Sequence, residues 1–153
     1  MNGLLLDTHI WLWVAEGIAG RVSHPVLAAI EQARVDHCLY VSAISVWKIG
    51  LLCAKDKIRL SAPVREWITR AIARPDMALL PLDAETALES TQLPDAPHGD
   101  PADRFLIAAA RSNELTLVTA DSKIQAYGQL GYVRVLAAQV APRLDKTAKF
   151  TTG

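Results

Sequence analysis

Four aspartates in this 153-residue chain stand where carboxylates can do chemistry: Asp7, Asp100, Asp103 and Asp121. Asp7 ends the apolar run LLL, and Asp121 follows LTLVTA. An acid placed directly after a buried strand cannot enter the core unpaired, because stripping water from its charge is costly. Asp100 and Asp103 bracket Pro101 in HGDPADRF, three residues apart and so on neighbouring faces of one helical turn. Taken singly, Asp7, Asp100 and Asp121 also suit the N-cap of a following helix. Taken together, three or four carboxylates on one edge of a sheet repel one another unless a divalent cation joins them. An all-oxygen donor set of that kind suits Mg²⁺ or Mn²⁺.

Such convergence needs a parallel sheet, and the pattern of the chain predicts one. LLLD at 4–7, CLYV at 38–41, MALLPL at 77–82, TLVTAD at 116–121 and YVRVL at 132–136 are short apolar runs without polar alternation. Runs of that kind mark strands covered on both faces. Between them lie helix signals: THIWLWVAEG ending at Gly17, Ser23 with Pro25 opening a helix to about Val35, and SAISVWKIG after the second strand. Ser61 with Pro63 opens another helix to about Ala73, Asp83 one to about Thr91, and Pro101 an alanine-rich amphipathic one. Alternating strands and helices predict an α/β fold, a three-layer α/β/α sandwich with a mostly parallel sheet in one domain over 1–136. The tail 137–153 carries little apolar pattern and is expected to be loosely held. Functional groups in such sheets gather beyond the carboxyl ends of the strands.

Composition bounds the rest. At 51% hydrophobic residues the chain is a folded globule, and its longest apolar run, IWLWVA, is too short to span a bilayer. Cys38 and Cys53 have no metal-type spacing and read as reduced thiols of a cytoplasmic protein. The net charge is zero but unevenly spread. Residues 48–74 hold seven basic side chains against two acids, whereas 76–121 hold nine acids against two arginines. That split places a cation site beside a polyanion-binding surface, or simply gives different helices solvated faces of different sign.

LLLDTHIWLW, VSAISVWKI, HGDPADRFLIAAA and LTLVTAD, in that order, resemble the PIN-domain family, in particular the VapC-type toxins of bacterial toxin–antitoxin pairs. The resemblance covers residues 3 to about 136. It implies a PIN-like sandwich and an Mg²⁺- or Mn²⁺-dependent endoribonuclease that cleaves RNA and is restrained by an antitoxin, with a homodimer as the expected assembly. It maps metal-holding acids onto Asp7, Asp103 and Asp121, a supporting acid onto Asp100 and a site hydroxyl onto Thr119. The fourth acid, a glutamate within S-x-W-E-I, falls on Lys48.

A lysine there has a definite electrostatic consequence. An ammonium about 4 Å from a cation is repelled by about 4 kcal/mol for each pair of unit charges at a screened surface dielectric. Lys48 is therefore expected to weaken metal binding and impair the nuclease, or to bridge two aspartates in the ion's place; a lysine turned to solvent is the alternative. A non-catalytic protein that binds RNA or an antitoxin is the competing function. A phosphoacceptor role for Asp7 fits poorly, because dehalogenase-like sites require D-x-D where this chain has D-T-H. Lys55, Lys57, Arg59, Arg65, Arg70 and Arg74 are the clustered candidates for RNA phosphate, with Arg104, His9 and His98 as weaker ones. Trp11, Trp13, Trp47 and Trp67 are expected in the core or at an interface. IWLWVA, apolar all round, predicts a partner surface.

Overall fold

A computed structural model describes residues 3–95 and 99–139. Five strands, β1 (Leu4–Leu6), β2 (Leu39–Ser42), β3 (Ala78–Leu80), β4 (Thr116–Thr119) and β5 (Val135–Ala137), form one sheet in the order β3-β2-β1-β4-β5. Every pairing is parallel. The helices are α1 (Thr8–Ala15), α2 (His24–Val35), α3 (Ala43–Ala54), α4 (Val64–Ile72), α5 (Ala84–Ser90), α6 (Pro101–Ser112) and α7 (Ser122–Gln129).

Because successive strand side chains point to opposite faces, each short strand feeds two cores. Leu5 and Leu117 join Leu106, Ile107, Ala110, Ile124 and Tyr127 on one face, under α6 and α7. Leu6 and Val118 join Ile10, Trp11, Val26, Ile30, Ile49 and Trp67 on the other, under α1, α2, α3 and α4. This is the expected three-layer sandwich, with a fully parallel sheet. The chain leaves β1 towards β2 on one side, while β4 pairs with β1 on the other. The crevice beyond the carboxyl ends of β1 and β4 is thus the point where the strand order reverses.

Several element boundaries differ from the sequence reading, each for a local reason. β3 stops at Leu80 because Pro81 has no amide hydrogen to continue a ladder. α4 begins after Pro63, with no side-chain cap; Ser61 instead donates its backbone N–H to Glu16 Oε1 at 2.8 Å. Pro63 disfavours helical backbone at Ala62, so the helix cannot start at Ser61. β5 starts three residues later than expected and reaches Ala137, in register with Thr119. Ala138 is buried, donates to the Thr119 carbonyl and accepts from Ser23 N–H, both at 2.9 Å, so the chain stays tied to the core past residue 136. Residues 140–153, the rest of the expected tail, lie outside the described residues.

The IWLWVA segment is also covered more fully than its all-round apolarity predicts. Ile10, Trp11 and Leu12 are buried by the chain itself, with the Trp11 ring 5.4 Å from that of Trp67 on α4. Trp47 on α3 is the outward-facing tryptophan, 53% exposed.

Candidate active site

Asp7 follows β1 directly and caps α1, its Oδ1 accepting from Thr8 N–H at 2.7 Å. Its Oδ2 accepts from the Thr119 hydroxyl at 2.6 Å, and the same hydroxyl oxygen accepts from Asp121 N–H at 3.0 Å. Thr119 is fully buried at the end of β4, so one hydroxyl ties together the two acids that follow adjacent strands. Asp121 caps α7, with Lys123 N–H and Ile124 N–H both donating to Oδ1, at 2.8 and 3.1 Å. Asp100 caps α6 through Ala102 N–H at 3.0 Å, and Asp103 lies in the first turn of that helix. The capping role and the convergence on one edge, alternatives in the sequence, therefore coexist: Asp7, Asp100 and Asp121 do both.

These acids line a cleft of about 390 Å³ together with Thr8, His9, Trp13, Lys48 and Leu52. Its electrostatics are strained. Burial pushes the Asp7 carboxyl above the usual carboxylate range, opposed by the hydrogen bonds from Thr119 and Thr8. Asp103 is pushed up to about 7, first by burial, then by the charges of Asp7, Asp100 and Asp121, with Lys48 acting in the opposite direction. Mutual repulsion among desolvated carboxylates is the condition that a cation relieves, so the donor chemistry fits a hard divalent ion. The spacing is looser: among the described residues, no three Asp, Glu, His or Cys side chains are gathered closely enough to hold an ion.

Lys48 turns inward rather than to solvent. Its ammonium lies 3.6 Å from Asp100 Oδ2, and it forms part of the cleft wall. Its helix is held against α1 by the buried hydroxyl pair Thr8 Oγ1 and Ser45 Oγ, 2.8 Å apart and one helical turn before Lys48. Ser42 caps α3, its side chain accepting from Ile44 N–H at 3.1 Å.

The other candidates are dispersed. Lys55, Lys57, Arg59 and Arg65 are exposed and do not line the cleft. Arg70 pairs with Glu66 and Arg74 with Asp76, and both arginines line a second groove of about 320 Å³ with Trp11, Trp67 and Met77. Arg104 lies beside Asp103 in sequence but outside the cleft wall. His9 lies within the wall, and His98 is outside the described residues. Sequence reasoning missed Trp13 as a cleft residue, although it follows His9 by four positions and so shares its helical face. It missed Arg21 altogether; the guanidinium stands over the Trp13 ring, 5.4 Å from its centroid.

Residues 4–130 match the family model for the PIN domain. The chain belongs to the PIN domain family. Ribonuclease VapC22 of Mycobacterium tuberculosis is 33% identical to this PIN domain over 128 residues, which span 83% of this chain and 93% of that protein. Solved structures agree in fold. The DNA-bound VapBC of Salmonella typhimurium superposes with a TM-score of 0.61 at 16% identity, covering 90% of this chain and 98% of that one. FitAcB of Neisseria gonorrhoeae does so with a TM-score of 0.58 at 22% identity, covering 87% and 96%. The DNA-bound VapBC2 of Rickettsia felis gives a TM-score of 0.63 at 12% identity, covering 89% and 98%.

Proposed function

We propose that this PIN domain is a VapC-type ribonuclease toxin of a toxin–antitoxin pair, cutting RNA phosphodiester bonds with the help of Mg²⁺ or Mn²⁺. The observation that carries this reading is the meeting of Asp7, Asp103 and Asp121, from three separate elements, in one cleft at the strand-order reversal. These three aspartates would hold the ion by drawing closer than they stand here, with Asp100 and Thr119 supporting them. When bound, a divalent ion supplies an activated water and neutralises charge on the phosphate. The chain's own contribution is positional: Thr119 holds Asp7 and Asp121 in register, and the caps fix each carboxylate to a helix start.

In this chain the activity is weakened by Lys48. The lysine stands where the resemblance calls for glutamate, and its ammonium already neutralises part of the cleft. That pairing with Asp100 favours a second reading, a PIN-fold protein that binds RNA or its antitoxin without cutting. Incubating RNA with purified protein and Mn²⁺ separates the two. Cleavage that is lost in Asp7→Asn supports the nuclease, and cleavage that appears only in Lys48→Glu supports the silent form.

The antitoxin is assigned to the second groove, whose apolar floor of Trp11, Trp67 and Met77, edged by the ion-paired Arg34, Arg70, Arg74 and Asp76, suits an apolar segment of a partner. A homodimer is supported by the outward-facing Trp47, the kind of aromatic anchor interfaces use. Cytoplasmic action follows from the RNA substrate. Among the described residues, no helix is long and apolar enough to cross a membrane.

A further inference from the structure

The four tryptophans are deployed differently. Trp11 and Trp67 are buried against each other, and Trp47 faces outward. Trp13 is half-buried in the wall of the acidic cleft, among carboxylates and a lysine. An indole donates nothing to a metal ion, and this one packs in part against the core beneath α1 while the rest of it lines the cleft. Around it stand two further groups. The exposed Arg21 lies over the ring, a cation–π arrangement, and no carboxylate among the described residues pairs with it. The exposed His9 ring is 5.8 Å from the indole, tilted by 51°. A π-surface and a second positive charge thus meet beside a cleft lined by four aspartates and Lys48. Asp7 caps the same helix that carries Trp13, so acid and ring belong to one rigid element, about 9 Å apart along its axis at the ordinary rise per residue.

We propose that Trp13, with Arg21 beside it, is a stacking site for an unpaired nucleobase of the RNA entering the cleft. The inference rests on the ribonuclease reading of that cleft. An unpaired strand offers the two features the site matches, a base face for the indole and a phosphate for the guanidinium. A duplex keeps its base faces stacked inside, and so offers the guanidinium a phosphate but the indole no base face.

The test is binding of fluorescent single-stranded RNA to the full chain, at low salt, in Ca²⁺ and in EDTA. Trp13→Ala is expected to weaken binding by about tenfold, the usual scale for one stacked base, and Trp13→Phe to restore most of it. On an oligonucleotide with abasic positions, wild type and Trp13→Ala are expected to bind alike. Trp13→Leu, which keeps the apolar volume, guards against loss of fold and is expected to bind as weakly as Trp13→Ala. If Trp13→Ala binds intact RNA as tightly as wild type, or loses equally on intact and abasic strands, the stacking site is overturned while the ribonuclease reading stands. If the unsubstituted chain binds no RNA in either condition, both fall, and a protein partner becomes the occupant of this face.

Discussion

The Thr119 hydroxyl donates to Asp7 Oδ2 at 2.6 Å while accepting from Asp121 N–H at 3.0 Å, so one buried side chain fixes two acids on adjacent strands. A residue that joins two catalytic candidates in this way has a stability role as well as a positional one. Thr119→Val keeps the shape but removes both bonds, leaving a buried carboxylate oxygen and an amide without that partner. The expected cost is about 1–3 kcal/mol, read as a lower urea midpoint with unchanged slope. Thr119→Ser should recover most of it; an unchanged midpoint in Thr119→Val would show that the hydroxyl carries no such load.

Lys48 and Asp100 form a partly exposed pair, so the bond itself contributes no more than about 1 kcal/mol. Its larger effect is on the charge of the cleft. Replacing Lys48 by glutamate adds repulsion against Asp100 and Asp103 in metal-free protein, and offers a fourth carboxylate when metal is present. Lys48→Glu is therefore expected to melt below wild type in EDTA and to gain more from Mn²⁺. Calorimetric titration should show tighter Mn²⁺ binding by the glutamate form. Equal titrations for the two proteins would place Lys48 outside the ion's reach.

Asp103 supplies a pH prediction with a definite sign. Its folded pKa is about 7 against an ordinary 3.8, so between those values the native state holds a proton that the unfolded chain has released. Stability from this group is therefore present below about pH 4 and lost as pH rises through 7, and the raised Asp7 carboxyl adds to the same slope. Asp103→Asn cannot ionise and should flatten the fall in melting temperature between pH 5 and 8. It should also melt above wild type at the alkaline end. A variant with the wild-type slope would locate the pH dependence elsewhere.

The acids were legible in the sequence because a buried parallel strand leaves few roles for a carboxylate at its end, and Asp7 and Asp121 both occupy that position. Lys48 was legible only through the resemblance, which puts a glutamate of S-x-W-E-I at its position; the buried Ile44 and Ser45 on the same helix are what bring it to the cleft. What failed to show was contact across the chain. Nothing in the spacing of Arg21 and Trp13 signals that a turn after α1 folds the guanidinium back over the ring. The basic stretch 48–74 read as one surface, yet Pro63 restarts the helix and divides it. Arg70 and Arg74 are thereby sent to a groove where they pair with acids, and Lys55, Lys57 and Arg59 are left exposed.

That division makes the basic residues unequal partners for RNA. Lys55, Lys57, Arg59 and Arg65 enter no ion pair among the described residues, whereas Arg70 and Arg74 would have to give up Glu66 and Asp76 before meeting a phosphate. Each phosphate neutralised on a single strand adds about 0.7 to the slope of log affinity against log salt. Replacing Lys55, Lys57 and Arg59 together by glutamine is thus expected to reduce that slope by about 2 and weaken binding evenly across RNA sequences. Arg70→Gln should leave the slope near its wild-type value, because that side chain is already partnered within α4. Anisotropy titrations over a range of KCl concentrations measure both. A steeper loss from Arg70→Gln than from the triple variant would move the RNA path from the end of α3 to the groove beside α4.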